Sequence, residues 1–435
     1  MNTPSFQQFT RSLAALFSVN ATTLVGGILL PIAVARILGA EALGIFSSAS
    51  ALGLLLTTLI DWGYETRIPL VVAAHFRTDI SQCLALFRRA QVLKIVLWCV
   101  VAVCLLSFAL FMTKGILREE MSLYAVYGVW SLFRALGASY IAALRGMEQY
   151  SRIARLENIA SLMLHGGCIA VLVVSQNLLL ALLVLPCVES AKMLIAREFV
   201  VEGAWKEALR QVTQQKLSVR DMWCALREQA YFVAIQALGI VESRAGVFAL
   251  MLTTASAQDM GFFGAAMRFP IALRTFAGAL FTMLLPSFVS LQNDSSAHTA
   301  NAQQQKTLLL QALVLGGGIA FAGSFFLFFA AEPLIFFVYG AAMLPSVELL
   351  RIVAALFFFQ TLSNIFEAFL LARGQKRSVT AISSALLGVF FASVLGCFFC
   401  GIALSTPLIA YTVCGLGGML CYFYGRKTWQ IVHQK

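Results

Sequence analysis

Charged residues that stand inside long apolar runs of this sequence include the bases Arg134, Arg244, Arg268 and Arg274, and the acids Asp61, Glu65, Glu242 and Glu367. A charge at the centre of a membrane-spanning helix costs about 2.5 to 3.5 kcal/mol even on lenient insertion scales, so none of them should face lipid. Two chemistries fit such a set. Guanidinium groups never lose their charge and match phosphate oxygens through paired hydrogen bonds, so the arginines suit an anion received in a water-filled cavity. Carboxylates at similar depth suit a coupling proton or sodium ion, and Asp61 and Glu65, four residues apart, are expected on one helix face. The plainer alternative is that acids and bases neutralise one another across helix contacts and hold the register of a bundle without touching any ligand. Helical phase limits what can share a wall: Arg268 and Arg274 are six positions apart, about 120° around a helix, so one of them is expected to stabilise packing only. Arg67 and Arg351 lie near enough to span ends to snorkel into the headgroups, and read as structural.

The elements that carry these residues are membrane spans. With 435 residues, 60% hydrophobic and 12% charged, and a mean hydropathy of +0.85, the chain fits no soluble class. Its net charge of +11 is spread through short loops rather than gathered on one domain, which argues against a nucleic-acid partner. Ten cysteines sit almost entirely in apolar runs and read as small buried hydrophobes. Cys397 and Cys400 are spaced C-x-x-C, but no second pair or nearby histidine completes a metal site. The run from Ser12 to Ala35 ends in a signal-peptidase-like Ala33-Val34-Ala35, yet it is too long for a signal core and is expected to remain as the first span.

Requiring about 20 mostly apolar residues per crossing places twelve spans near 12–35, 43–71, 89–112, 121–143, 153–174, 178–198, 226–253, 260–289, 307–330, 346–371, 379–401 and 405–425. The stretch Glu332 to Gly340 is too short to cross and is expected at the interface. Basic residues alternate between loops, with Arg88, Arg89, Arg145, Arg152, Arg155, Arg373 and Arg377 in one set and only Arg36, Lys114 and Arg118 in the other. By the positive-inside rule both termini are cytoplasmic. The polar connection at residues 201–224 is amphipathic and is expected to lie along the cytoplasmic surface, between lobes at 1–200 and 225–435. The lobes echo each other: AEALGIF at 40–46 opens span two and AQDMGFF at 257–263 opens span eight, while LRG at 144–146 and ARG at 372–374 follow the fourth span of each half. Six spans per half make the repeats parallel, with a cleft between two lobes, the architecture of an alternating-access transporter. The fold class expected is therefore all-α integral membrane, about twelve helices in two pseudo-symmetric six-helix lobes around a central cleft.

No P-loop or GxSxG elbow is present, and the four histidines lack partners at ligand spacing. Neither an enzyme nor a cofactor is expected. LGAEALGIFSSASALGLLLTTLIDWGYE across span two and AALRGMEQYSRIARLENI after span four resemble Wzx-type polysaccharide flippases of the multidrug/oligosaccharidyl-lipid/polysaccharide (MOP, MATE-like) exporter superfamily. The resemblance implies a bacterial inner-membrane flippase that moves an undecaprenyl-pyrophosphate-linked oligosaccharide, such as an O-antigen unit, to the periplasmic leaflet. It also implies membrane lipid and polysaccharide polymerase or assembly proteins as partners. It assigns no site residue. The alternatives are a cation-coupled drug or metabolite antiporter of the same superfamily, a membrane glycosyltransferase or polymerase, for which the external loops look too short, and a scaffold without transport.

Overall fold

Backbone in hydrocarbon must satisfy its own N–H and C=O groups. The structure, a computed structural model, describes residues 6–76, 79–111, 121–201, 219–253, 256–293, 298–400 and 404–433, and these residues form helices and no strand. In chain order they are α1 (Phe6–Asp61), α2 (Tyr64–His75), α3 (Ile80–Phe111), α4 (Met121–Gly146), α5 (Tyr150–Ser175), α6 (Leu178–Leu182), α7 (Val184–Val201) and α8 (Val219–Ser243). There follow α9 (Ala245–Leu252), α10 (Ala257–Asn293), α11 (His298–Phe329), α12 (Ala331–Tyr339), α13 (Ser346–Ala372), α14 (Lys376–Phe399) and α15 (Thr406–His433). Seven described helices are long and apolar enough to cross a bilayer, and the bent pair α8–α9 passes the same test as an eighth. This is a multi-pass membrane protein. The residues 202–218 of the expected cytoplasmic connection lie outside the described residues, as do Lys114 and Arg118.

The described parts of the stretches expected to cross are almost wholly helical, three of them divided between two helices, and seven or eight rather than twelve pass as spans among the described residues; the departures lie in how the helices break. The apolar part of α1, Ala21–Asp61, has 41 residues, about 60 Å of helix and twice the hydrocarbon thickness. It folds at Gly39, whose φ of 88° only glycine adopts without strain. The expected spans one and two are thus two arms of one helical run. The second arm stops at Trp62 and Gly63, both left-handed at φ 49° and 76°. A non-glycine residue there costs about 1–3 kcal/mol, and the surroundings offset it. The Trp62 indole N–H donates to Leu226 O at 3.0 Å, and the Gln229 amide, nitrogen turned inward, donates to Trp62 O at 3.0 Å and Gly63 O at 3.3 Å. Asp61 Oδ2 accepts the Glu65 N–H at 3.0 Å, satisfying a first-turn donor of α2. Farther along, Asp79 stands immediately before α3. The Ser81 hydroxyl and the N–H groups of Ser81 and Gln82 donate to it, and these bonds, the Ser81 hydroxyl foremost, hold its carboxyl below the usual range.

The chain forms two compact units. The first comprises residues 1–38 and 49–240, the second residues 39–48 and 241–435. The first is cored by Tyr64, Ile68 and Val72 of α2 against Leu84 and Phe87 of α3, Ile141 and Leu144 of α4 and Leu156 of α5. In the second, Phe288 of α10 meets Phe369 of α13 edge-on at 5.5 Å, with Leu309 and Ile365 beside them. Residues 39–48 join the second unit through a reciprocal crossing. A Cβ on Gly44 would fall 1.8 Å from Ala257 O, and a Cβ on Gly261 would fall 1.8 Å from Ala40 O. Ala40 and Gly44 occupy in the first sequence echo the places of Ala257 and Gly261 in the second. Such reciprocity follows when a segment meets its own copy about a local two-fold axis.

Candidate functional site

Among the described residues of the first unit the buried charges form two groups. One centres on Lys94 of α3, which is fully buried. Its ammonium donates to Asp61 Oδ1 at 2.6 Å, Ser139 Oγ at 2.6 Å and Ala135 O at 2.7 Å. All three protons are used, and Asp61 spends its second oxygen on the Glu65 amide. The expectation that Asp61 and Glu65 share a face is corrected here, because the left-handed residues 62 and 63 interrupt the helix between them. Glu65 turns outward, with its side chain 52% exposed and 3.7 Å from Arg145.

The second group lies on α4, α5 and α7. Arg134 Nη1 donates to Glu189 Oε1 at 3.1 Å. Lys192 Nζ is 2.8 Å from Glu189 Oε2, an ion pair off the hydrogen-bonding axis, and donates to Glu157 Oε2 at 3.4 Å. Charge therefore alternates along a chain of four groups: Arg134, Glu189, Lys192, Glu157. Its burial is uneven. Glu189 and Lys192 are buried, at 2% and 7% side-chain exposure, while Arg134 is 42% exposed. The guanidinium of Arg134 lies over the Trp130 ring, 5.2 Å from its centroid, and the buried Trp130 indole N–H has no hydrogen-bond partner.

The second unit holds the remaining candidates. α8 stops at Ser243 and α9 starts at Ala245, with a 74° bend between them. Arg244 occupies the turn at the N-cap position of α9, its side chain making no capping bond; Glu242 stands two residues earlier. Arg274 of α10 lies within electrostatic reach of Glu242 and of Glu367 on α13. Two acids thus share one base. Arg268, six residues before Arg274, lies over the Phe46 ring at 5.8 Å. Of the arginines expected to be structural, Arg67 pairs with Glu228 at 2.8 Å and Arg351 stands 3.9 Å from Glu332.

Lys94, Glu157, Glu189 and Lys192 escaped the sequence-based site. Glu189 and Lys192 are three apart in an apolar run, and opposite charges at that spacing cancel when a surplus of one sign is sought.

No protein-family profile and no curated protein sequence matches the chain. Solved structures do. A multidrug resistance MATE family transporter of the MOP superfamily, in an inward-facing conformation, matches with a TM-score of 0.65 at 12% identity, over 96% of this chain and 94% of the other. The lipid II flippase MurJ in an inward closed conformation matches with 0.61 at 11% identity, over 96% and 87%. A MOP superfamily transporter from Pyrococcus furiosus, described as having a binding pocket of reversed polarity, matches with 0.55 at 13% identity, over 97% and 96%. The chain has the MATE/MOP-like fold. At these identities the likeness speaks to fold alone, so any use made of the buried charges has to be argued from the charges themselves. Within that fold, Arg134 combines charge, partial exposure and unspent donors.

Proposed function

We propose that the protein is a flippase of the bacterial inner membrane. It carries an undecaprenyl-pyrophosphate-linked oligosaccharide, an O-antigen or other surface polysaccharide unit, from the cytoplasmic to the periplasmic leaflet by alternating access. One observation carries this: Arg134, with a side chain 42% exposed, commits one N–H to Glu189 and keeps its other donors for a ligand rich in acceptor oxygens, as pyrophosphate is. The sequence resemblance to Wzx-type flippases and the fold shared with a lipid II flippase support the same reading. Arg244, Arg268 and Arg274 supply the basic groups of the second unit, and the prenyl tail stays in lipid while the headgroup crosses.

A coupling cation, in this reading, is taken by Glu242 and Glu367 around Arg274. Two carboxylates against one guanidinium leave a negative charge that lipid-depth surroundings favour neutralising. Asp61 is a weaker choice because both its oxygens are occupied by Lys94 and the Glu65 amide. The same surplus of acid is what favours the second reading, a cation-coupled antiporter of drugs or metabolites.

Complementation of a strain lacking its oligosaccharide flippase separates the two. Surface glycan should return with the wild-type chain and fall at least about tenfold with Arg134→Gln at equal protein level, the loss of one charge-assisted contact being worth about 1.5–3 kcal/mol. Undiminished glycan with Arg134→Gln, Arg244→Gln and Arg268→Gln alike would remove the anion reading; drug resistance lost in their place would establish the antiporter.

A further inference from the structure

A guanidinium near a carboxylate is ordinarily a spent guanidinium, because the pair cancels and the arginine turns its donors toward the acid. The Arg134 group is built otherwise. Glu189 is almost completely buried and lies between two cations, Arg134 at 3.1 Å on Oε1 and Lys192 at 2.8 Å on Oε2. Glu157 in turn faces Lys192 at 3.4 Å. Glu189 therefore holds Arg134 by a single Nη1 contact, while Lys192 offsets the negative charge that would compete with an incoming anion. Behind Arg134 stands the Trp130 ring at 5.2 Å, with an indole N–H that is buried and unpartnered. An unused buried donor is costly, by about 1–3 kcal/mol, and persists where something else repays it.

We propose that Glu189 is a positioning residue: held between Lys192 and Arg134, it fixes the guanidinium over the Trp130 ring so that its unbonded donors receive the diphosphate oxygens of the cargo. This rests on the anion reading of Arg134 and adds to it the residues that aim the group. Glu189 and Lys192 do not touch the cargo. The ligand class is a diphosphate monoester or diester, whose adjacent phosphates offer several acceptors to one planar fork.

Charge alone and positioning predict opposite signs for one substitution. Glu189→Gln removes a negative charge beside the anion, so electrostatics alone would tighten anion binding, whereas loss of the fixed guanidinium weakens it. The test uses full-length protein in nanodiscs, inorganic pyrophosphate as the probe and calorimetric titration, with thermal transitions followed by tryptophan fluorescence. Arg134→Gln should weaken binding about tenfold or more, and Glu189→Gln about tenfold. Glu189→Asp, which keeps the charge but shortens the reach by one methylene, should fall between Glu189→Gln and wild type, about threefold weaker. If Glu189→Gln does not fold, Glu189→Asp decides alone, since charge alone predicts no change for it. Binding by Glu189→Gln as tight as wild type or tighter, or by Glu189→Asp equal to wild type, with Arg134→Gln still impaired, overturns the positioning role and leaves the anion site standing. Wild-type protein that binds no pyrophosphate, or Arg134→Gln that binds it normally, overturns the anion reading and with it this proposal.

Discussion

Lys94 shows what a charge at lipid depth looks like when it is wholly structural. Its ammonium has three donors and three acceptors between 2.6 and 2.7 Å, and it is sealed from solvent, so no ligand can reach it and no proton is spare. Arg134 differs in each respect, being half-exposed with one protein hydrogen bond. Removing one partner of a buried ion pair strands the other, at about 3–5 kcal/mol, whereas replacing both with apolar residues of similar size is close to neutral. Lys94→Met should therefore lower the thermal transition of the purified protein sharply, and Asp61→Leu likewise. The double variant should be more stable than either single one, short of wild type by the Glu65 amide that Asp61 also serves. Additive losses in the double variant would show that the pair is not coupled.

At the scale of the element, the reciprocal crossing of residues 40–44 with 257–261 is set by two glycines. A methyl group on either would sit 1.8 Å from a backbone carbonyl oxygen, and backbone cannot swing aside as a side chain can. Gly44→Ala and Gly261→Ala should each cost about 1–3 kcal/mol, the range for forced overpacking. The same change at Gly388 of α14, where nothing lies within 4 Å, should be neutral or slightly stabilising, since alanine is the better helix former by about 1 kcal/mol. Melting curves of the three variants compare them directly, and equal shifts would mean that the crossing yields. Helix positions were legible in the sequence because an apolar run of span length leaves backbone no other choice. The breaks were less so. Gly39 and Gly63 carry a local cue, whereas Trp62 in a left-handed conformation depends on Leu226 and Gln229, more than 160 positions away. The Lys94–Asp61 and Arg134–Glu189 pairs likewise join different helices, 33 and 55 positions apart, and no local pattern encodes such partners. The fourfold arginine list was found from depth and charge; which of them keeps its donors free depended on the packing of α4 against α7.

For the molecule as a whole, the cargo and the coupling ion make separable demands on energy. A headgroup of charge near −2 leaving an inside-negative cell gains roughly 4.6 kcal/mol at about 100 mV, enough to drive export without nucleotide. Exchange against an inward proton would add about 1.4 kcal/mol, a factor of ten, for each unit of pH gradient. Proteoliposomes containing a fluorescent polyprenyl-pyrophosphate oligosaccharide measure both, by the fraction of label accessible from outside under an imposed potential, with and without a one-unit pH gradient. The wild-type distribution should respond to each. Glu242→Gln and Glu367→Gln remove one acid from the pair around Arg274, leaving one carboxylate matched to one guanidinium and no surplus charge to neutralise. Each should abolish the response to pH and keep the response to potential, because the charge on the cargo is untouched. A pH response intact in both variants would take coupling away from these carboxylates. A wild-type distribution indifferent to potential would mean that the moving species carries no net charge, which no pyrophosphate-linked cargo travelling alone can satisfy.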